Sequence, residues 1–523
     1  MIKERFSVGE INPVIPMDFP DPDVIRVGDS YYMASTTMHF FPGCEILKSH
    51  DLLHWEHAAY VYNYLDSTDG QKLEDGKDIY GKGMWAPSLR YHNNCFYLSF
   101  CANDTGKTYL YRSKEITGPW KKQNIEGFYH DGSLLFDDDR VFIVYGNREI
   151  KIMELDKDLK GPKKGGLQRT LVKEEGNKNL SYEGSHIYKI NERYYIFLIH
   201  SLPDRWMRTQ NCFVATSLEG DFHGGEILCE DMGYFEQGVA QGGIVDTPDG
   251  HWYTILFQDR GGGGRMPVLL PLKWKGFMPY IAENGRLPLE IEIFNLKPEY
   301  EYSPLYGDDD FSEIGEISNE KDKRTVLDPE KDTFGLKSYW QWNHEPDISL
   351  VKVDTAKREL RLKTAKTCEK FDQARNTLTQ RLTLPRSRAS VILNYDEMQE
   401  GDRAGLGILC ENYGYMAIEK TADGAKLIYV SKEDGEEKEC ASIPIEGGSS
   451  INFRIDTNTF APVGNATFFW KKSSEKTYKP IPVCKSLKFT LVHFVGCRFA
   501  LFMYSTKKSG GSAAFSDFKY ELY

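Results

Sequence analysis

The sequence predicts an all-β protein, a five-bladed β-propeller followed by a β-sandwich. Three observations predict it. One motif recurs five times within the first 300 of 523 residues, no helical period interrupts the strands between its copies, and a second set of alternating strands follows an acidic, turn-rich break. A chain this long exceeds one ordinary domain of about 100–200 residues. The expected division is 1–300 for the propeller, 301–337 for a junction with an exposed acidic insertion, and 338–523 for the sandwich.

Each copy of the motif is a small-residue triplet, a short apolar run, a turn and a strand that opens on a ring or an apolar pair. Blade one starts at Asp21-Pro22-Asp23-Val24 and turns through Val27-Gly28-Asp29-Ser30 into Tyr31-Tyr32. Blade two runs from Ala86-Pro87-Ser88-Leu89 to Phe96-Tyr97, and blade three from Asp131-Gly132-Ser133-Leu134 to Val141-Phe142. Blade four runs from Glu183-Gly184-Ser185-His186 to Tyr194-Tyr195, and blade five from Gln241-Gly242-Gly243-Ile244 through Pro248-Asp249-Gly250 to Trp252-Tyr253. The offset is ten or eleven residues each time and position two is always Pro or Gly, which makes every copy a β-hairpin. Further strands such as 45–49, 109–113 and 213–217 complete four-stranded units. A sandwich also yields short strands, but it has no reason to repeat one triplet at a fixed offset from an aromatic pair.

Composition narrows the function classes. Lys plus Arg total 65 against 77 Asp plus Glu, a net charge of −12, and no basic block is present, which excludes a nucleic-acid partner. The start, MIKERFSVGEINPVIP, lacks the apolar run of a signal peptide, and no window approaches the ~20 apolar residues of a membrane span. The ten cysteines are scattered without a CxxC pair. A cytoplasmic protein with reduced thiols, no metal site and no membrane partner is expected; oligomeric state is not legible. The 31 Tyr, 29 Phe and 9 Trp exceed what a β-rich core explains and fit a surface that stacks on sugar rings.

In a propeller the innermost strands line a central channel, so equivalent repeat positions form a ring. The first triplet position holds Asp21, Ala86, Asp131, Glu183 and Gln241. Three acids converging on one axis repel one another and raise each other's pKa, a cost that a purely structural position avoids. The ring is therefore the candidate catalytic centre, the alternatives being a cation site or solvated loop acids. Two carboxylates flanking a sugar linkage suffice for glycoside hydrolysis, although spacing assigns neither roles nor separation. Trp85, His130 and Tyr182 precede three of these slots, as sugar platform and hydrogen-bond partners or as core side chains. Phe41 is a further candidate for substrate contact. Arg265 follows Gly261-Gly262-Gly263-Gly264 and is either a side chain that reaches the channel mouth or a surface charge. The glycine run is no phosphate cradle, since neither Lys-Ser/Thr nor a helix follows; it reads as a tight turn near the axis.

Together these motifs resemble the signature set of glycoside hydrolase family 43. The resemblance rests on Asn12-Pro13-Val14-Ile15-Pro16 with Asp18-Phe19-Pro20-Asp21-Pro22-Asp23, then Met84-Trp85-Ala86-Pro87-Ser88, His130-Asp131-Gly132-Ser133-Leu134 and Tyr182-Glu183-Gly184-Ser185-His186. Residues 241–250 and Gly264-Arg265-Met266-Pro267 complete it in chain order. It implies a five-bladed propeller of inverting glycosidases acting on arabinose- and xylose-containing polysaccharides. It also implies Asp21 as general base, Glu183 as general acid, Asp131 as pKa modulator, Trp85 as a wall of the sugar subsite and Arg265 as a donor to sugar hydroxyls. Many members carry a His, associated with a water-ligated calcium, where Gln241 stands. Gln retains a donor for sugar or water, so no cofactor is expected to be required and a structural calcium in the channel is not favoured.

After Lys297-Pro298-Glu299 the chain turns acidic, with Asp308-Asp309-Asp310-Phe311 and a charged stretch over 318–332 that reads as the exposed insertion. Alternating strands at 360–363, 389–393, 405–409 and 499–503 predict the sandwich. Trp340-Gln341-Trp342-Asn343-His344, Gly496-Cys497-Arg498-Phe499 and Ser516-Asp517-Phe518 resemble the lectin-like (concanavalin-like) sandwich of the family's β-xylosidase and α-L-arabinofuranosidase branch. There the sandwich lends a loop that closes the groove to a pocket; the other role for such a domain is an independent carbohydrate-binding module. The implied function is inverting, exo-acting release of terminal β-D-xylose or α-L-arabinofuranose from xylan- or arabinan-derived oligosaccharides. Its rivals are endo-arabinanase action and a non-catalytic carbohydrate-binding propeller.

Overall fold

The computed structural model describes residues 4–282, 287–288, 290–316, 318–320, 323–325 and 328–523. Five antiparallel blades surround one axis, each with its four strands drawn from one contiguous segment. The innermost strands are Asp23–Val27, Ser88–His92, Ser133–Asp137, Glu183–Ile190 and Ala240–Asp246. The ring closes where blade five meets blade one. There the Gly243 amide donates to the Pro22 carbonyl at 3.0 Å and Arg26 pairs with Asp246 at 2.7 Å. Among the described residues the only helices are four single 3₁₀ turns, and all ten cysteines are unpaired.

Blade sheets are covered on both faces by their neighbours, so a middle strand such as Arg140–Tyr145 carries the continuous apolar run Val141-Phe142-Ile143-Val144. The triplet has a steric cause at the crowded axis. Asp21, Asp131 and Gln241 adopt left-handed backbone, with φ of 53°, 46° and 58°. Blade four displaces that conformation by one residue, onto Gly184 at 65°. The pairing register also slips between Glu183 and His186 and between Ala240 and Gly242. Such bulges re-aim side chains, here into the channel. A Cβ on Gly242 would sit 1.8 Å from the Ile255 carbonyl oxygen, so the second position of blade five admits only glycine.

The junction differs from its expectation. Residues 318–320 and 323–325 form a hairpin that extends the outer edge of blade two's sheet. Arg324 and Asp332 are buried rather than exposed, because each neutralises the other and Arg324 also donates to Asn63 at 2.8 Å. A charge-rich stretch reads as solvated only when its charges lack partners; part of this one, at 321–322 and 326–327, lies outside the described residues.

The sandwich packs an eight-stranded sheet on a seven-stranded one. Trp342, Phe453, Phe468, Phe499, Leu501 and Phe515 belong to the core between them. Strand Arg498–Ser505 is buried at every position, because the opposite face of its sheet is also covered, by Phe40, Phe371 and Tyr413 among others. The last strand of that sheet comes from the propeller: Phe40–Phe41 pairs antiparallel with Gln341–Asn343. Beside this junction runs a buried chain of charges. Arg381 contacts Glu45 at 2.8 Å, Glu45 contacts His57 at 3.0 Å, and His57 contacts Asp332 at 3.0 Å. Removing one member leaves its partner charged and buried, at a cost of about 3–5 kcal/mol. Arg381→Met is expected to lower the unfolding temperature sharply, and Arg381→Met with Glu45→Gln to lower it less than the sum of the single changes. A double-mutant cycle by thermal denaturation checks this, and strict additivity would remove the claim of direct coupling.

Candidate active site

The first-position side chains meet in a cavity of about 270 Å³. Asp21, Asp131 and Glu183 line it together with Trp85, His130, Gln241 and Arg265, while Leu491 and Phe494 arrive from the sandwich. The expected acids are thus brought to one place from three blades.

Asp21, 6 % exposed, accepts from Arg265 Nη1 at 2.7 Å and from the Thr36 hydroxyl at 2.7 Å. Burial pushes its carboxyl up, the Arg265 guanidinium pulls it back, and the charge of Asp131 adds to the rise. Asp131 accepts the Gly184 amide at 3.0 Å. Burial raises its carboxyl too, with His130 opposing and Glu183 reinforcing. Glu183 takes the Asn147 side-chain amide at 2.5 Å and lies 3.4 Å from His130 Nε2. Burial works against a charge on His130, but the carboxylates of Asp131 and Glu183 outweigh it and hold the imidazole up at about 9.

One wall alternates rings and cations. The Arg208 guanidinium lies 5.5 Å from the Trp206 ring and 5.4 Å from Phe257; Arg265 lies 5.2 Å from Phe257 and 4.6 Å from Phe494; Phe494 stacks on Trp85 at 6.2 Å and 9°. All six line the cavity. Trp85 Nε1 and Arg265 Nε are buried donors without a protein acceptor, available to a bound hydroxyl. Gln241 is buried and its amide donates to Gln210 Oε1 at 2.7 Å.

Phe41 does not reach this cavity. It is 1 % exposed and packs edge-on to Tyr62 at 5.9 Å, because its backbone is committed to the strand beside Trp342. Met38, on the same loop, lines the site instead. Tyr182 stacks on His200 at 4.8 Å and is not a lining residue. The glycine run does form a 3₁₀ turn, Gly261–Gly263, but its size is also dictated by the sandwich. A Cβ on Gly261 would lie 2.1 Å from the Pro462 carbonyl oxygen. Sequence reasoning missed Thr36, Asn147, Trp206, Arg208, Leu491 and Phe494, which stand outside the repeated triplet. It quoted Asp18 without a role; its carboxylate accepts the amides of Arg265 at 2.7 Å and Gly496 at 2.9 Å, joining the two halves of the site.

Comparison with known proteins decides the family. The profile described as Glycosyl hydrolases family 43 matches residues 11–278. This chain belongs to that family. The family 43 chain is a glycoside hydrolase, and its substrate is an oligosaccharide. A second profile, Beta xylosidase C-terminal Concanavalin A-like domain, matches residues 331–521. A Formosa agariphila protein named Beta-xylosidase is 24% identical over 566 residues, covering 98% of this chain and 90% of its own. A Bacteroides ovatus non-reducing end alpha-L-arabinofuranosidase is 23% identical over 477 residues, covering 86% and 83%. A solved Bacteroides eggerthii structure, titled Bifunctional GH43-CE, superposes with TM-score 0.87 and 36% identity over 99% of this chain; the hydrolase spans 64% of that chain.

His130, Asp131 and Glu183 bring possible ligand atoms within 4.8 Å of one another. Calcium takes six to eight oxygen ligands. Two carboxylates and one imidazole nitrogen supply fewer oxygen ligands than that.

His130 gives a signed pH prediction. Its folded value of about 9 exceeds the ordinary 6.5, so its contribution to stability is complete below pH 6.5 and is lost as pH rises through about 9. Between those limits the wild type is expected to lose up to about 3 kcal/mol relative to His130→Gln. Parallel stability profiles of the two proteins against pH check this; identical profiles would refute the assignment.

Proposed function

We propose that this hydrolase is an inverting, exo-acting enzyme that releases terminal β-D-xylose or α-L-arabinofuranose from xylan- or arabinan-derived oligosaccharides. The observation that carries the reading is the size of the cavity, about 270 Å³, below the roughly 300–1,000 Å³ of ordinary ligand pockets. Such a space takes one terminal ring, whereas endo-arabinanase action calls for an open cleft. The names of the Formosa and Bacteroides ovatus relatives support the two sugars. A binding propeller without catalysis has no use for three mutually repelling acids.

In this reading Asp21, fixed by Arg265 and Thr36, takes a proton from the water that attacks the anomeric carbon. Glu183, whose side chain is 19 % exposed against 8 % for Asp21, gives its proton to the departing oxygen as the glycosidic bond breaks. Solvent restores both groups. Asp131 is not Glu183's partner in inversion, because their oxygens lie within 4.8 Å, short of the ~6.5–9.5 Å that leaves room for a water. Its bond to the Gly184 amide instead fixes the bulge that presents Glu183.

Glu183→Gln and Asp21→Asn are each expected to lower kcat on unsubstituted oligosaccharides by at least about 10³-fold while binding persists. Proton NMR of the first-formed sugar should show the inverted anomer; a retained one refutes the mechanism. Side-by-side release from 4-nitrophenyl β-xyloside, 4-nitrophenyl α-arabinofuranoside and oligomers identifies the preferred sugar, and initial products longer than a monosaccharide would defeat exo action.

A further inference from the structure

Among the described residues twelve large apolar side chains remain exposed, and only two of them, Trp206 and Leu491, also line the catalytic cavity. A residue that both lines a cavity and faces solvent stands at its mouth. The acids lie on the inner side of this boundary, at 6 % and 7 % exposure for Asp21 and Asp131, whereas Trp206 keeps 40 % and Leu491 58 % of their surface open. Asn147, also exposed and lining the cavity, stands at the same mouth, so a terminal sugar seated against the acids sends its leaving group out past Trp206, Leu491 and Asn147.

Trp206 is held for contact. Arg208 covers the indole at 5.5 Å and is itself anchored by a buried ion pair to Asp259 and by the Phe257 ring at 5.4 Å. The loop that carries Trp206 closes on itself, with the Leu202 amide donating to the Met207 carbonyl at 2.9 Å. Asn179 ties it down from outside by donating to the carbonyls of Leu202 at 3.2 Å and Pro203 at 3.3 Å. A large ring left in water, covered by one cation and carried on a loop tied to itself and to Asn179, has already lost part of the freedom that binding would otherwise take away. Its electron-rich face complements the weakly positive C–H face of a neutral sugar ring.

We propose that Trp206, opposed by Leu491, forms the leaving-group subsite, where the indole stacks on the first sugar of the departing chain. The ligand class is a neutral oligosaccharide whose second ring presents a C–H face. This inference rests on the hydrolytic reading above. Trp206 binds and positions; it transfers no proton.

The test compares kcat/KM for xylobiose and arabinobiose with that for the matching methyl glycosides, which have no second ring. The disaccharide-to-methyl ratio is expected to fall about ten-fold in Trp206→Ala, mostly through KM, and to recover largely in Trp206→Phe. Phe235→Ala, which removes an exposed ring outside the cavity, should leave the ratio within two-fold of wild type. An unchanged ratio in Trp206→Ala, or an equal shift in Phe235→Ala, overturns the subsite. Calorimetry of the same disaccharides on Glu183→Gln, with and without Trp206→Ala, separates the two readings. A ten-fold weaker Kd supports the platform and an equal Kd overturns it, even if the wild type releases no pentose and the hydrolytic reading falls by itself.

Discussion

Arg265 donates from Nη1 to Asp21 and from Nη2 to the Phe494 carbonyl, joining segments that stand 244 and 229 residues away in the chain. Its own amide is held by Asp18, whose second oxygen holds Gly496. One buried guanidinium thereby closes the last seam of the propeller, orients a carboxylate and docks the sandwich loop. With 2 % exposure for Arg265 and 6 % for Asp21, neither charge has water to fall back on. The ring closure, the Asp21 carboxylate and the sandwich loop over the cavity consequently depend on one another.

Backbone geometry completes what that pairing begins. Left-handed residues at Asp21 and Asp131, and the bulge that follows Glu183, carry strain that the ladders on either side sustain. The strain fixes the acids before a substrate arrives, which is how preorganised groups act without reorganising during reaction. The alternating stack from Trp206 to Trp85 does the same for the wall, since each guanidinium is pinned between two rings.

The sandwich helps to build the cavity. It takes Phe40–Phe41 into its sheet and returns Leu491 and Phe494 to the cavity. From that loop His493 stacks on Tyr80 at 4.1 Å, and beneath it Tyr80, His39 and His344 pack ring to ring. Burial drives His39 and His344 well below the usual imidazole range and His493 down to about 3. The loop therefore rests on an uncharged aromatic layer at neutral pH.

The repeat was legible because five blades meet at one axis, and each leaves a Pro or a Gly beside the same slot. That periodicity by itself determined the blade count and singled out Asp21, Asp131, Glu183 and Gln241. Their neighbours Trp85 and His130 followed from it, whereas Arg265 stood out only through the family resemblance. Tertiary structure alone decided the rest. Phe41 looks like any loop aromatic until Trp342, some 300 positions later, claims its backbone, and Arg324 and Asp332 look solvated until each finds the other. Trp206, Asn147 and Phe494 sit on loops that no period marks. Their placement depends on contacts with distant segments, and local sequence encodes a strand's pattern but not the partner that a loop will meet.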